Sequence, residues 1–131
     1  MKIIDGTDAT LGRLASYAAK EALKGEEITI LNCEKVLVTG NKNNFILGIV
    51  AKRGRVGTTQ KGPKYSRSID KIVKRTIRGM LPNARRSGRG SDAHKRIKCY
   101  IGIPKEFENA KIEKLEKRNE TISHRLGDII G

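Results

Sequence analysis

The sequence has no tryptophan, and its aromatic residues make up only 4% of the chain. A buried core must therefore be aliphatic, built from Ile, Leu, Val and Ala. A stacking platform for single-stranded nucleic acid needs several aromatic faces in series, and Phe45, Tyr65 and Tyr100 supply few. Cysteine is scarce too. Cys33 and Cys99 each lie in an apolar run, and neither has a Cys or His at ligand spacing. They are expected to be small buried hydrophobes, with no metal site and no disulfide in a reducing compartment. No apolar run approaches the roughly 18 residues that would span a bilayer. The opening MKIIDGTDA is too short and too acidic for a secretory leader, so a cytoplasmic location is expected.

Acidic residues are also nearly missing from the middle of the chain. Between residues 42 and 100 there are seventeen Lys and Arg but only two acids, Asp70 and Asp92. The chain as a whole carries +14, so the flanking segments are close to neutral and the entire excess is central. A charge block of this size repels itself and costs compactness unless a polyanion neutralises it. In the cytosol the abundant polyanion is nucleic acid.

What is present reads as an α/β protein of 131 residues in one domain, with a basic segment at 42–100 and a charge-balanced C-terminal extension at 105–131. KIID opens as a strand. Leu11, Leu14, Ala15, Ala18 and Ala22 then form one stripe of a helix, with Asp8 or Thr10 placed to cap its start and Gly25 its end. EITILNC and KVLVTG read as the second and third strands, and NNFILGIVAKRG as a helix that turns basic at Lys52 and Arg53. A loop over 54–67 leads to Ser68 and the helix IDKIVKRTIRGML, which Pro82 ends. NARRSGRG predicts a flexible basic loop. Ser91 or Asp92 would cap a short helix through Lys98, and CYIGIP reads as the fourth strand. Glu108 to Arg118 mixes charges like an exposed helix, and Ile122, Leu126, Ile129 and Ile130 form a last apolar stripe. Strands without strict alternation suggest a small, mainly parallel sheet covered by helices on both faces.

The helix after Ser68 is sharply two-sided. At about 100° per residue, Lys71, Lys74, Arg75 and Arg78 share one side, while Ile69, Ile72, Val73, Thr76, Ile77 and Met80 occupy the other. One side suits a core; the other is wholly cationic, and the loops on both flanks share its sign.

Nothing in the sequence demands catalysis. Gly6 and Gly12 flank a turn that superficially resembles a phosphate-binding loop, but the Lys-Ser/Thr pair and the three-glycine spacing are both missing. His94 sits among Lys95 and Arg96 and reads as one more donor on a basic surface. No cofactor and no small-molecule substrate are expected. Cations on Gly-rich loops and on a helix face suit phosphate and shape recognition of folded RNA. A general nucleic-acid binder of chromatin type is the alternative, and an RNA- or nucleotide-modifying enzyme at the Gly6–Gly12 turn is the second.

LGRLAS at 11–16, NCEKVLVTGNK at 32–42, RTIRGMLP at 75–82 and KRIKCYIGIP at 95–104 occur together in this order. By these motifs the chain resembles the large-subunit ribosomal protein L-thirteen family. The direct step from GEE at 25–27 into the second strand is similar to the archaeal and eukaryotic branch, and Cys33 stands where Ala is usual. The resemblance implies a three-layer α/β/α fold around a four-stranded parallel sheet. It implies a structural role in the large ribosomal subunit, binding 23S-type rRNA beside neighbouring ribosomal proteins and supporting assembly, with no membrane partner. The expected phosphate contacts are Arg53, Arg55, Lys61, Lys64, Arg67, Lys71, Lys74, Arg75, Arg78, Arg85, Arg86 and Arg89. Gly79, Pro82 and Gly88 would shape the backbone.

Overall fold

A computed structural model describes residues 1–55, 57, 65–66, 68–82, 88–115 and 123–130. The apolar run KIID forms β1 (Lys2–Asp5), and the alanine-rich stripe that follows forms α1 (Leu11–Leu23). Next come β2 (Ile28–Leu31), a single 3₁₀ turn at Cys33–Lys35, β3 (Leu37–Thr39) and α2 (Lys42–Arg53). The second half holds α3 (Ile69–Gly79), α4 (Arg89–Lys95), β4 (Ile97–Cys99), β5 (Glu113–Lys114), β6 (Ser123–Arg125) and α5 (Leu126–Ile130).

Four strands make a parallel sheet in the order β4-β2-β1-β5. Ile4 pairs with Ile30, and Ile30 with Cys99. All four residues of β2 are buried, as a strand covered on both faces requires. The helices around this sheet complete a three-layer α/β/α arrangement. Helix α1 packs on α3 and α4, and α3 reaches β4 and the turn at Cys33–Lys35. Between the layers lies an aliphatic core that includes Ile4, Leu14, Ala18, Ile28, Ile30, Val73, Ile77 and Ile97.

The ends of α1 follow the sequence in part. Gly25 takes a φ of +100°, the left-handed geometry that closes a helix, and its N–H donates to Ala22 O. Arg96 Nη1 also donates to Ala22 O at 3.0 Å and ties α4's end to α1's. At the other end, Thr10 holds the cap position without a side-chain bond, as Ser68 does for α3. Asn41 caps α2 properly, its Oδ1 accepting from the Asn43 N–H at 2.9 Å.

Several expectations need correction. The third strand, KVLVTG, does not join the main sheet; β3 pairs antiparallel with β6, Val38 opposite His124, in a separate two-stranded sheet. The fourth position in the main sheet belongs instead to β5, inside the stretch expected to be helical. This edge strand has only two residues, both exposed, so it carries no hydrophobic alternation to read. Side chains hold it: Tyr17 Oη donates to Glu113 Oε2 at 3.1 Å, and Leu115 packs against the core. Strand β4 starts at Ile97, two residues before the expected fourth strand, because α4 already ends at Lys95. The expected cap at Ser91 or Asp92 is likewise displaced: Gly88 occupies the cap position and the helix opens at Arg89, so Arg89 and Gly90 are not loop. Of the final apolar stripe, Leu126 is fully buried, while Ile122 lies outside the described residues.

Candidate nucleic-acid interface

The core sets the orientation of α3. Ile72, Val73 and Ile77 are buried, and each such side chain gains roughly 1.5–3 kcal/mol by leaving water. That anchors the helix's rotation and presents the opposite side to solvent. Lys71 is exposed there, while Lys74, Arg75 and Arg78 are half-buried, their stems laid along the surface. Met80, expected on the core side, is exposed; it falls past the last helical residue, and its sulfur accepts from Ser16 Oγ at 3.6 Å.

Three neighbouring elements bring further basic side chains to this face. The guanidinium carbon of Arg75 lies 4.8 Å from the centre of the Tyr65 ring, and Lys52 Nζ lies 5.5 Å from it. One aromatic ring therefore attracts cations from both α2 and α3. From α4, His94 closes a cleft of about 200 Å³ with Ser66, Lys71, Lys74, Arg75 and Arg78. Burial holds the His94 imidazole below its ordinary pKa, and the charges of Lys74 and Arg78 add to the effect. On the other flank, Lys71 and Lys74 line a second cleft of about 310 Å³ with Lys98, Asp70, Cys99 and Tyr100. Asp70 is its single acid. Adjacent like charges of this kind are unfavourable alone and become favourable around an anion.

Of the twelve expected contacts, Lys71, Lys74, Arg75 and Arg78 are brought together on this face. Arg53, Arg55 and Arg89 do not line its clefts. Arg55 and Arg89 are exposed, and Arg53 is half-buried, with Nε and Nη2 shielded and without a hydrogen-bond partner among the described residues. Lys61, Lys64, Arg67, Arg85 and Arg86 lie outside the described residues. Three contributors to the face were not among the twelve. Lys98 could have been found, since it alternates with buried Ile97 along a strand. Lys52 was visible as the basic end of a helix, but its ring partner Tyr65 is remote in sequence. His94 gave a donor reading only; its place in a cleft depends on how α4 packs.

The other sequence features have packing explanations. An added Cβ at Gly6 would lie 2.8 Å from Val36 Cγ2 and 2.9 Å from Leu31 O, while the Gly6 N–H donates to Leu31 O. The turn resembling a phosphate loop is thus closed against the chain beyond β2, with that amide engaged internally. Cys33 is fully buried; its contact with the Cys99 thiol, together with burial, pushes its pKa up, so it stays a protonated, inert thiol. Among the described residues no set of three or more His, Cys, Asp or Glu is grouped to hold a metal, and no helix is long and apolar enough to cross a membrane.

A basic surface on an α/β/α scaffold leaves many families open. Comparison with known sequences narrows them: the profile of the family described as Ribosomal protein L13 matches residues 1–106. The chain belongs to the ribosomal protein L13 family. Members of the L13 family are structural proteins of the ribosome, not enzymes. The "Large ribosomal subunit protein uL13" of Methanosphaera stadtmanae is 41% identical, over 97% of this chain and 92% of its own length. The protein of the same name from Methanopyrus kandleri is 45% identical over 97% of this chain and 77% of its own. That from Thermoplasma volcanium is 40% identical over 99% and 91%. The L13 match stops at residue 106, before the segment that supplies β5, β6 and α5.

Proposed function

We propose that this chain is a one-domain structural constituent of the large ribosomal subunit, in the cytoplasm, that binds 23S-type rRNA through phosphate and shape contacts and supports subunit assembly. The observation that carries this reading is the two-sided α3: its apolar side is built into the core, and its cationic side is extended by Lys52 and His94 from separate elements. A merely solvated helix face would not need cations converging on it from both α2 and β4. The names of the relatives supply the setting, a large ribosomal subunit, where folded RNA is the anionic partner.

The proposed phosphate contacts are those expected from the sequence: Arg53, Arg55, Lys61, Lys64, Arg67, Lys71, Lys74, Arg75, Arg78, Arg85, Arg86 and Arg89. Lys52 and Lys98 join them by position. Neighbouring ribosomal proteins are expected partners as well. Replacing Lys71 and Lys74 together with Ala tests the reading. For every phosphate whose cation is removed, the dependence of log affinity on log salt should flatten by about 0.7–0.9. Replacing Arg85, Arg86 and Arg89 together should act in the same way. A slope unchanged in both variants would mean that these cations face only solvent, and the reading would fail.

A further inference from the structure

The cleft between α3 and α4 has a property that an ordinary patch of surface lysines lacks. It is concave, holds about 200 Å³, and combines permanently charged groups with one that is neutral near pH 7. Lys71, Lys74, Arg75 and Arg78 come from consecutive turns of one side of α3, Ser66 adds a hydroxyl, and His94 approaches from α4. We propose that this cleft seats a single phosphate group of the bound RNA backbone, with His94 as a proton-linked donor to it. The inference rests on the rRNA-binding reading and deepens it by naming one subsite and its pH response.

The chemistry follows from the surroundings of His94. From α3 it meets Lys74 and Arg78, both cationic, and its own helix carries Arg89, Asp92 and Lys95. Of the elements packed on α4, α1 carries Arg13, Lys20 and Glu21 and β4 carries Lys98. In the free protein a proton on His94 is therefore opposed by partial burial and by two cations, and the ring is neutral at pH 7. A phosphate in the cleft reverses the balance, because it offsets the Lys74 and Arg78 charges and accepts a hydrogen bond that imidazolium donates strongly. Anion binding then takes up a proton. By linkage, affinity should strengthen as pH falls through the His94 pKa of the complex, and level off once the free protein is protonated too.

The test follows both histidines of the full chain by NMR from pH 5 to 8. The sequence contains only His94 and His124, so H94Q assigns the two signals. The protein is measured alone, with a large-subunit rRNA fragment that it prefers over unrelated RNA, and with inorganic phosphate. The fragment should raise the His94 pKa by about one unit, equivalent to a tenfold gain in affinity across the window. H94Q should abolish that pH dependence. K74Q should raise the His94 pKa in the free protein, by removing a facing cation, and should shrink the shift that RNA causes. Inorganic phosphate should act only at far higher concentration than the fragment. An unmoved His94 in a complex that still prefers the fragment overturns the subsite alone. A shift with inorganic phosphate and none with RNA assigns the cleft to a free anion and overturns the backbone contact. Absence of any fragment preference overturns the ribosomal reading itself.

Discussion

Asp5 and Asn32 show how a motif residue can serve the fold. Asp5 ends β1 and is nearly buried. Burial alone would raise its pKa, but hydrogen bonds from Asn32 Nδ2 (3.0 Å), Thr7 Oγ1 (2.7 Å) and the Thr7 N–H (2.9 Å) outweigh it and hold the carboxyl below its ordinary value. Asn32 takes a φ of +55°, a left-handed conformation that Asn tolerates better than most residues. Asn32→Ala should cost about 1–3 kcal/mol, since it leaves a buried carboxylate short of a donor. Urea unfolding at pH 7 would measure it. The Asp5 contribution is present above the ordinary carboxylate pKa and lost as pH falls through its lowered native value, so the difference between wild type and variant should shrink in acid. An unaltered midpoint at pH 7 would contradict this account. Gly90 is the glycine that the sequence did not single out: a Cβ there would sit 1.7 Å from Pro82 O. Nothing local marks it among three glycines in a basic run, because the constraint comes from a proline eight positions earlier.

At the scale of elements, the two sides of α3 should separate stability from binding. Ile77 is fully buried and Lys71 exposed on the same helix. Ile77→Ala should cost about 2–5 kcal/mol, while Lys71→Ala should change stability by no more than about 0.5 kcal/mol and act on RNA affinity instead. Thermal unfolding paired with binding would show the split; equal losses of stability would mean that Lys71 is packed rather than presented. This helix was legible in the sequence because 3.6-residue periodicity and charge segregation agree along it. α1 was legible for the same reason. The partner of β3 and the existence of β5 were not, for a shared cause: strand pairing is a property of partners. Leu37–Thr39 reads as a strand wherever it pairs, and its partner Ser123–Arg125 has no apolar pattern at all. Glu113–Lys114 joins the main sheet through backbone pairing with Ile4 and Asp5, which side-chain chemistry does not announce.

For the whole molecule, the distribution of charge was the most telling feature of the sequence, and the fold gives it a geometry. Neutral segments supply most of the sheet and α1, while the basic segment supplies α2, α3, α4 and one strand. The cationic face is therefore carried by a core to which both kinds of segment contribute, and α3 links the two through Val73 and Ile77. Its composition was legible, but its concavity was not. Which of seventeen central cations share a surface depends on where α4 sits beside α3 and on the ring of Tyr65, and these are long-range facts. The motifs carried the family for the same reason: they record residues such as Asn32, whose constraint is tertiary.

The central claim is that this surface recognises a folded ribosomal RNA site and not merely negative charge. The measurement that tests it most directly compares the affinity of the purified protein for large-subunit rRNA fragments, size-matched unrelated RNA and duplex DNA across a salt series. The account predicts one fragment bound with a preference that survives moderate salt, while the non-specific component of every ligand weakens steeply. Equal affinities for all three, collapsing together as salt rises, would contradict it and leave a general polyanion binder in its place.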